Sequence, residues 1–306
     1  MIDTLAFNYR KQLFAYDPSH VKGLSNPLTK AQIKTNNIKM NAYEMKLFLN
    51  TILLMNGDLI DEFDSVYKFL ITFIKIVDIV MYEEFSDDIL NELRALIVDH
   101  HTFYTTGFKE KLKPKHHFMV HYVNCIKELG PLKFLWCFRF EGKHAEFKKY
   151  ANNITSRKNI PLTLATKYCF QFCSYLFGNS FFQNDLVDCK NFSPIDLSKL
   201  EFYQNLCTKF TIGNEVLSMR YKGVLYEKNY YVKSKNTVLL ILKIFFDLHN
   251  EIFLICQECK TSFSEKFQSH EVLGTNNAYY LKKIDLKSVP SKLYTLNDGK
   301  KVVRFF

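Results

Sequence analysis

The sequence predicts an α+β fold, an N-terminal helical bundle followed by a small SH3-like or BAH-like β-barrel, and three observations predict it. Between Met40 and Leu176 apolar residues recur at three- and four-residue steps, the period of a helix with one buried face. Beyond Glu215 the pattern changes to short runs rich in Val, Ile, Phe and Tyr, bounded by Gly, Asn and Asp, which is the signature of strands. Between the two lies a polar stretch with Gly178 and Pro194. The expected organisation is a polar lead-in over 1–39, a helical domain over 40–178, a linker over 179–200 and a β-barrel domain over 201–306.

Residues 1–39 carry the breakers Asn26-Pro27 and Asn36-Asn37. From Met40, the stripe Met45, Phe48, Leu49, Ile52 and Leu53 predicts a first helix that Gly57-Asp58 interrupts. A longer helix follows, striped by Val66, Phe69, Leu70, Phe73, Ile74, Val77 and Val80. Ser86 before Asp87-Asp88 is an N-cap with acids in the first turn. It starts a helix through Leu90, Leu93, Leu96 and Ile97, with Asp99-His100-His101 expected on a solvated face at its end. Three helices joined by short loops make a bundle. Pro161 opens another helix, with Leu164, Tyr168, Phe172, Tyr175 and Leu176 on its face. The strand candidates are EVLSMRYKGVLYEKNYYVKS, TVLLILKIFFDL, EIFLICQECKTSF, AYYLKKIDL and KKVVRFF. Barrel closure is an analogy from their order.

Composition is that of a soluble globular chain, 47% hydrophobic and 24% charged. The first twenty residues lack a basic, apolar and small-residue succession, so no secretory signal is expected. No uncharged apolar run reaches membrane-spanning length. Eight scattered cysteines fit reduced thiols in a nuclear or cytoplasmic, not secreted, protein. Cys169 and Cys173, and likewise Cys256 and Cys259 with His270, have ligand-like spacings, but packed core cysteines are the expected reading. No Walker, Rossmann, nucleophile-elbow or HExxH motif occurs, and no small-molecule substrate is evident.

The charge is local. From Lys109 to Lys158 there are twelve bases and four acids, a net +8 out of +10 for the whole chain. Such a concentration is the footprint of a surface that meets a polyanion, so DNA is the expected partner. Within it, His117 and His121, with His116 as alternative, are spaced so that two imidazoles share one helix face and could share zinc. The simpler reading has these histidines cap or line a helix start after Pro114, with His121 hydrogen-bonded. Glu141, set beside Gly142, Lys143, His144 and Lys148, is either a solvated ion-pair partner or a metal ligand on a phosphate path.

The succession K-P-K-H-H-F, H-Y, G-P-L, F-R-F-E-G-K-H, F-K-K, N-I-T and K-N-I resembles the end of the catalytic domain in the CACTA-related (CMC) superfamily of cut-and-paste transposases. It resembles still more the many animal proteins derived from such elements. That resemblance implies the helical insertion and final helices of an RNase H-like core. It also implies Zn²⁺ at His117 (or His116) and His121, Glu141 as the last member of a DDE triad, and Lys143, Lys148, Lys149, Arg157 and Lys158 along DNA. Two features depart from the family. No C-x2-C precedes the histidines, and Asp58, Asp61 and Asp64 fall in or beside helical pattern rather than at strand ends. A two-metal centre needs two further carboxylates, so Mg²⁺ is expected only if the missing acids come from elsewhere. The expected protein is a catalytically incomplete DNA binder. The alternative is a chromatin or protein interaction module, with homo-oligomers as a further partner class.

Overall fold

The computed structural model describes residues 4–17, 24–35, 37–155, 158–177, 188–190, 193–199, 212–221, 224–234, 236–246, 251–283 and 289–305. Among them, helices occupy the N-terminal part and antiparallel strands the C-terminal part, as the α+β class requires. The helices are α1 (Thr4–Leu13), α2 (Lys30–Lys34), α3 (Ala42–Asn56), α4 (Ser65–Val80), α5 (Asp87–Thr106), α6 (Pro114–Val120), α7 (Tyr122–Leu129), α8 (Phe138–Asn153) and α9 (Ile160–Phe177).

The polar lead-in is partly folded. Phe7 on α1 is buried and packs its ring 5.9 Å from that of Phe48 on α3. Lys11 is buried too, its Nζ donating to the carbonyls of Ser25 and Asn26 at 2.7 and 2.9 Å. One apolar anchor and one satisfied cation are enough to hold a polar helix on the bundle, and neither shows as periodicity.

Local signals explain the helix starts. Asn41 Oδ1 accepts from the Glu44 N–H and the Glu44 carboxylate from the Asn41 N–H, a reciprocal cap on α3. Asp64 accepts from the N–H groups of Val66 and Tyr67 on α4, and Ser86 Oγ from that of Ile89 on α5. The bundle core joins Ile76, Ile79, Leu90, Leu93, Ile97, Met119, Val123 and Ile126 from α4 to α7. On α3, Leu53 of the expected stripe is buried against Tyr67 and Ile74, with Ile52 packed on it, whereas Met45, Phe48 and Leu49 are only half-buried and Leu47, Thr51 and Leu54 form a further buried face. It is turned toward the sheet, where Leu54 joins Phe267, Tyr294, Leu296 and Val302.

The strands are β1 (Asp188–Lys190), β2 (Ser193–Asp196), β3 (Ile212–Val216), β4 (Ser218–Tyr221), β5 (Val224–Glu227), β6 (Tyr231–Ser234), β7 (Thr237–Phe246), β8 (Ile252–Ser264), β9 (Ser269–Lys283), β10 (Tyr294–Thr295) and β11 (Lys301–Val303). They form a three-stranded sheet β1-β4-β5 and an eight-stranded antiparallel sheet β10-β11-β9-β8-β7-β3-β2, with β6 also on β7. The order does not close on itself among the described strands. Within the span expected as linker, β2 pairs with β3, and Leu197 just after it is fully buried against Phe245, Phe253 and Ile255.

The apolar run of β7, interrupted by Lys243, is legible once its bulge is seen. Register shifts between Ile241 and Lys243, so Leu239, Ile241, Ile244 and Phe246 all reach one core while Phe245 faces the other. Gly213 on β3 is required by close approach. A Cβ there would stand 2.4 Å from the Phe246 carbonyl oxygen.

Helices and sheet are tied by polar contacts as well as by the Leu54 cluster. Tyr67 Oη donates to the Lys266 carbonyl, Lys292 Nζ to that of Tyr16 at 2.8 Å, and Asn297 Nδ2 to that of Met55 at 3.2 Å. Arg304, 2% exposed, donates to the Gln268 carbonyl and twice to the Asp78 carboxylate, at 3.0 and 3.2 Å.

His270 on β9 lies beside Phe263 and Phe305, and burial, helped by the Lys233 charge, lowers its pKa to about 4. A histidine depressed below its unfolded value near 6.5 lets the unfolded chain bind the extra proton between those two pH values. Stability is therefore whole above pH 6.5 and falls as pH drops toward 4, by at most about 3 kcal/mol and less after solvent screening. Urea titrations at pH 7 and pH 4.5 on the protein and on His270→Phe are expected to show a shallower acid slope in the variant.

Candidate nucleic-acid interface and histidine cluster

Pro114 at the first helical position starts α6, and the Lys113 N–H donates to His116 Nδ1 at 2.9 Å. His116 thus caps its own helix, as the simpler reading of the sequence expected. His117 and His121 do meet. Their Nε2 atoms stand 3.1 Å apart on an exposed face, with ring centroids 4.8 Å apart at 82°. Four residues along a helix place both rings over the same turn, which is why the pair forms. It supplies two donors, and among the described residues no group of three or more His, Cys, Asp or Glu is arranged to hold a metal ion. Among the described residues the pair thus supplies two of the four ligands that a structural zinc site takes.

Cys169, Cys173, Cys256 and Cys259, the cysteines with ligand-like spacings, join no such group among the described residues. Cys256 lies in the core with Leu254 and Ile241, while Cys259 lies in another with Val238 and Val303. Burial raises the Cys259 thiol pKa. Cys169 and Cys173 are exposed.

His100 departs from its expected solvated face. It is 4% exposed and stacked 4.6 Å from Phe69, with the His116 ring tilted 5.7 Å away and His101 also in contact. Burial, then the neighbouring His101 and His116, lowers its pKa to about 4. His100 Nδ1 and His101 Nε2 are buried without a hydrogen-bond partner among the described residues. The sequence did carry a signal for this, since Leu90, Leu93, Ile97 and His100 continue one stripe at steps of three, four and three.

Glu141 lies exposed in the first turn of α8. The upstream aspartates serve structure instead. Asp58 pairs with Arg10 at 2.6 Å, Asp61 accepts from the Phe63 N–H and Asp64 caps α4. Burial opposes ionisation of Asp58, but the hydrogen bond and charge of Arg10 and the Asn297 contact outweigh it and lower the pKa.

The basic residues divide. Lys143 Nζ is held by Glu146 Oε2 at 2.7 Å and lies 4.6 Å over the Tyr168 ring and 5.4 Å over Phe147, so it fastens α8 to α9 rather than facing outward. That hydrogen bond lowers the Glu146 pKa and raises that of Lys143. Lys148, Lys149 and Lys158 are exposed, and Arg157 lies outside the described residues. Neither Lys148 nor Lys149 has an ion pair among the described residues. The arrangement presents cations on α8 with a single unaided carboxylate. It can neutralise phosphates, but one carboxylate does not hold two metal ions across a scissile bond.

No family model matches the chain, and neither the curated proteins nor the solved structures return a match. No described helix is long and apolar enough to cross a membrane.

Proposed function

We propose that this chain is a transposase-derived, catalytically incomplete DNA-binding protein, and that α8 is its phosphate-contacting element. The observation that carries the reading is the exposed pair Lys148 and Lys149 within a stretch holding most of the chain's surplus positive charge. Glu141 is, in this reading, a remnant that no longer has carboxylate partners. A DNA partner makes a nuclear location the natural one. The alternative, an interaction module using the basic stripe and an SH3-like barrel, draws on the C-terminal strands, whose described pairings do not close a barrel.

Salt-dependent binding tests the proposal. Fluorescence polarisation of a labelled 20-base-pair duplex is expected to show affinity falling steeply with salt. In Lys148→Ala, Lys149→Ala the log–log slope becomes shallower by about 2, close to 0.9 for each phosphate that is no longer neutralised. Glu141→Ala leaves binding intact. Absence of any DNA retention at low salt sinks the proposal, and Mn²⁺-dependent nicking that Glu141→Ala abolishes would make the chain an enzyme.

A further inference from the structure

We infer that the α8–α9 pair prefers single-stranded to duplex nucleic acid, with Phe140 and Phe170 stacking on unpaired bases while Lys148 and Lys149 meet the phosphates. This rests on the DNA-binding reading above and deepens it. No described residue of α8 or α9 is buried, although α9 is apolar around most of its circumference. Phe140 and Phe170 are 66% and 72% exposed. On α8, Phe140, His144 and Lys148 follow one another at four-residue steps and all are exposed, so a ring and a cation share one stripe.

An apolar surface of this extent calls for a partner, and charge identifies its kind. Between residues 138 and 177 there are seven bases and two acids. One of those acids, Glu146, is already held by Lys143. A polyanion answers the cations, and only a polyanion with accessible π-faces also answers the rings. Duplex DNA offers phosphates but keeps its bases stacked inside. An unpaired strand offers both, and base–aromatic stacking on a basic surface is the general mode of sequence-tolerant single-strand binding. A membrane surface is a poorer fit, because the apolar residues of α9 are spread around the helix instead of forming one face opposite a charged one.

Polarisation of a labelled 20-nucleotide oligothymidine against a 20-base-pair duplex, using the full chain, decides the matter. The single strand is expected to bind at least tenfold more tightly. Phe140→Ala, Phe170→Ala is expected to lower single-strand affinity about tenfold or more and to leave duplex affinity and the melting temperature unchanged. Lys148→Ala, Lys149→Ala weakens both ligands. Equal or tighter duplex binding, or single-strand binding indifferent to the ring substitutions, overturns the inference and leaves the DNA-binding reading standing. Failure to bind either ligand removes both. If the ring substitutions instead abolish retention on phosphatidylserine vesicles or self-association in sedimentation velocity, the surface serves a membrane or a second copy and the inference falls.

Discussion

Asp78→Ala is expected to destabilise the protein by about 3–5 kcal/mol, because it strips a buried guanidinium of its counter-ion. Arg304 is almost wholly enclosed, and its two hydrogen bonds to Asp78 join the C-terminal end of the chain to α4. Burial raises the Asp78 pKa, against the opposing pull of Arg304. The Lys46 charge opposes that rise as well. Removing both charges is a smaller perturbation than removing one, so Asp78→Ala with Arg304→Met should recover part of the loss. Urea denaturation of the two single variants and the double gives the coupling. If the double variant is as unstable as the sum of the singles, the pair is not the fastening described here.

How far the fold was legible follows from which residues announced themselves. Helices with a stripe and a side-chain cap, such as α5 behind Ser86, were readable because periodicity and capping act within a few residues. Asp78 also gave a local sign, a lone acid inside the apolar run IVDIV of α4. Its partner was unreadable, lying 226 positions away. The first half of β9, SHEVLGTNN, lay outside the strand candidates, yet it is a strand because β8 supplies a ladder from Ser264 to Cys259. Sheet closure is equally a matter of long-range pairing, and the barrel expectation had only strand order behind it. At the candidate site, the spacing of His117 and His121 located a true contact, whereas Lys143 looked outward until α9 brought Tyr168 beneath it. Sequence proximity shows which residues share an element but not which second element covers them.

Phe245→Ala should cost about 3–5 kcal/mol through the cavity left behind, and the loss should register in the helices. The Phe245 side chain is fully buried, stacked 5.6 Å from the Phe253 ring and packed with Leu197 and Ile255. A smaller apolar replacement, Phe245→Leu, keeps most of the volume and should cost no more than about 1.5 kcal/mol. Trp136, the sole tryptophan, reports on the opposite part of the molecule. It stands just before α8, with Lys46 of α3 5.5 Å from its ring centre. Because Leu54 of α3 shares a core with Phe267, Tyr294 and Val302, unfolding of the sheet removes the surface on which α3 rests. The urea midpoint of Phe245→Ala should therefore fall equally by far-ultraviolet dichroism and by Trp136 fluorescence. A fluorescence midpoint that stays at its original value would show that the helices stand without the sheet. The basic face of α8 would then belong to a unit independent of the C-terminal strands.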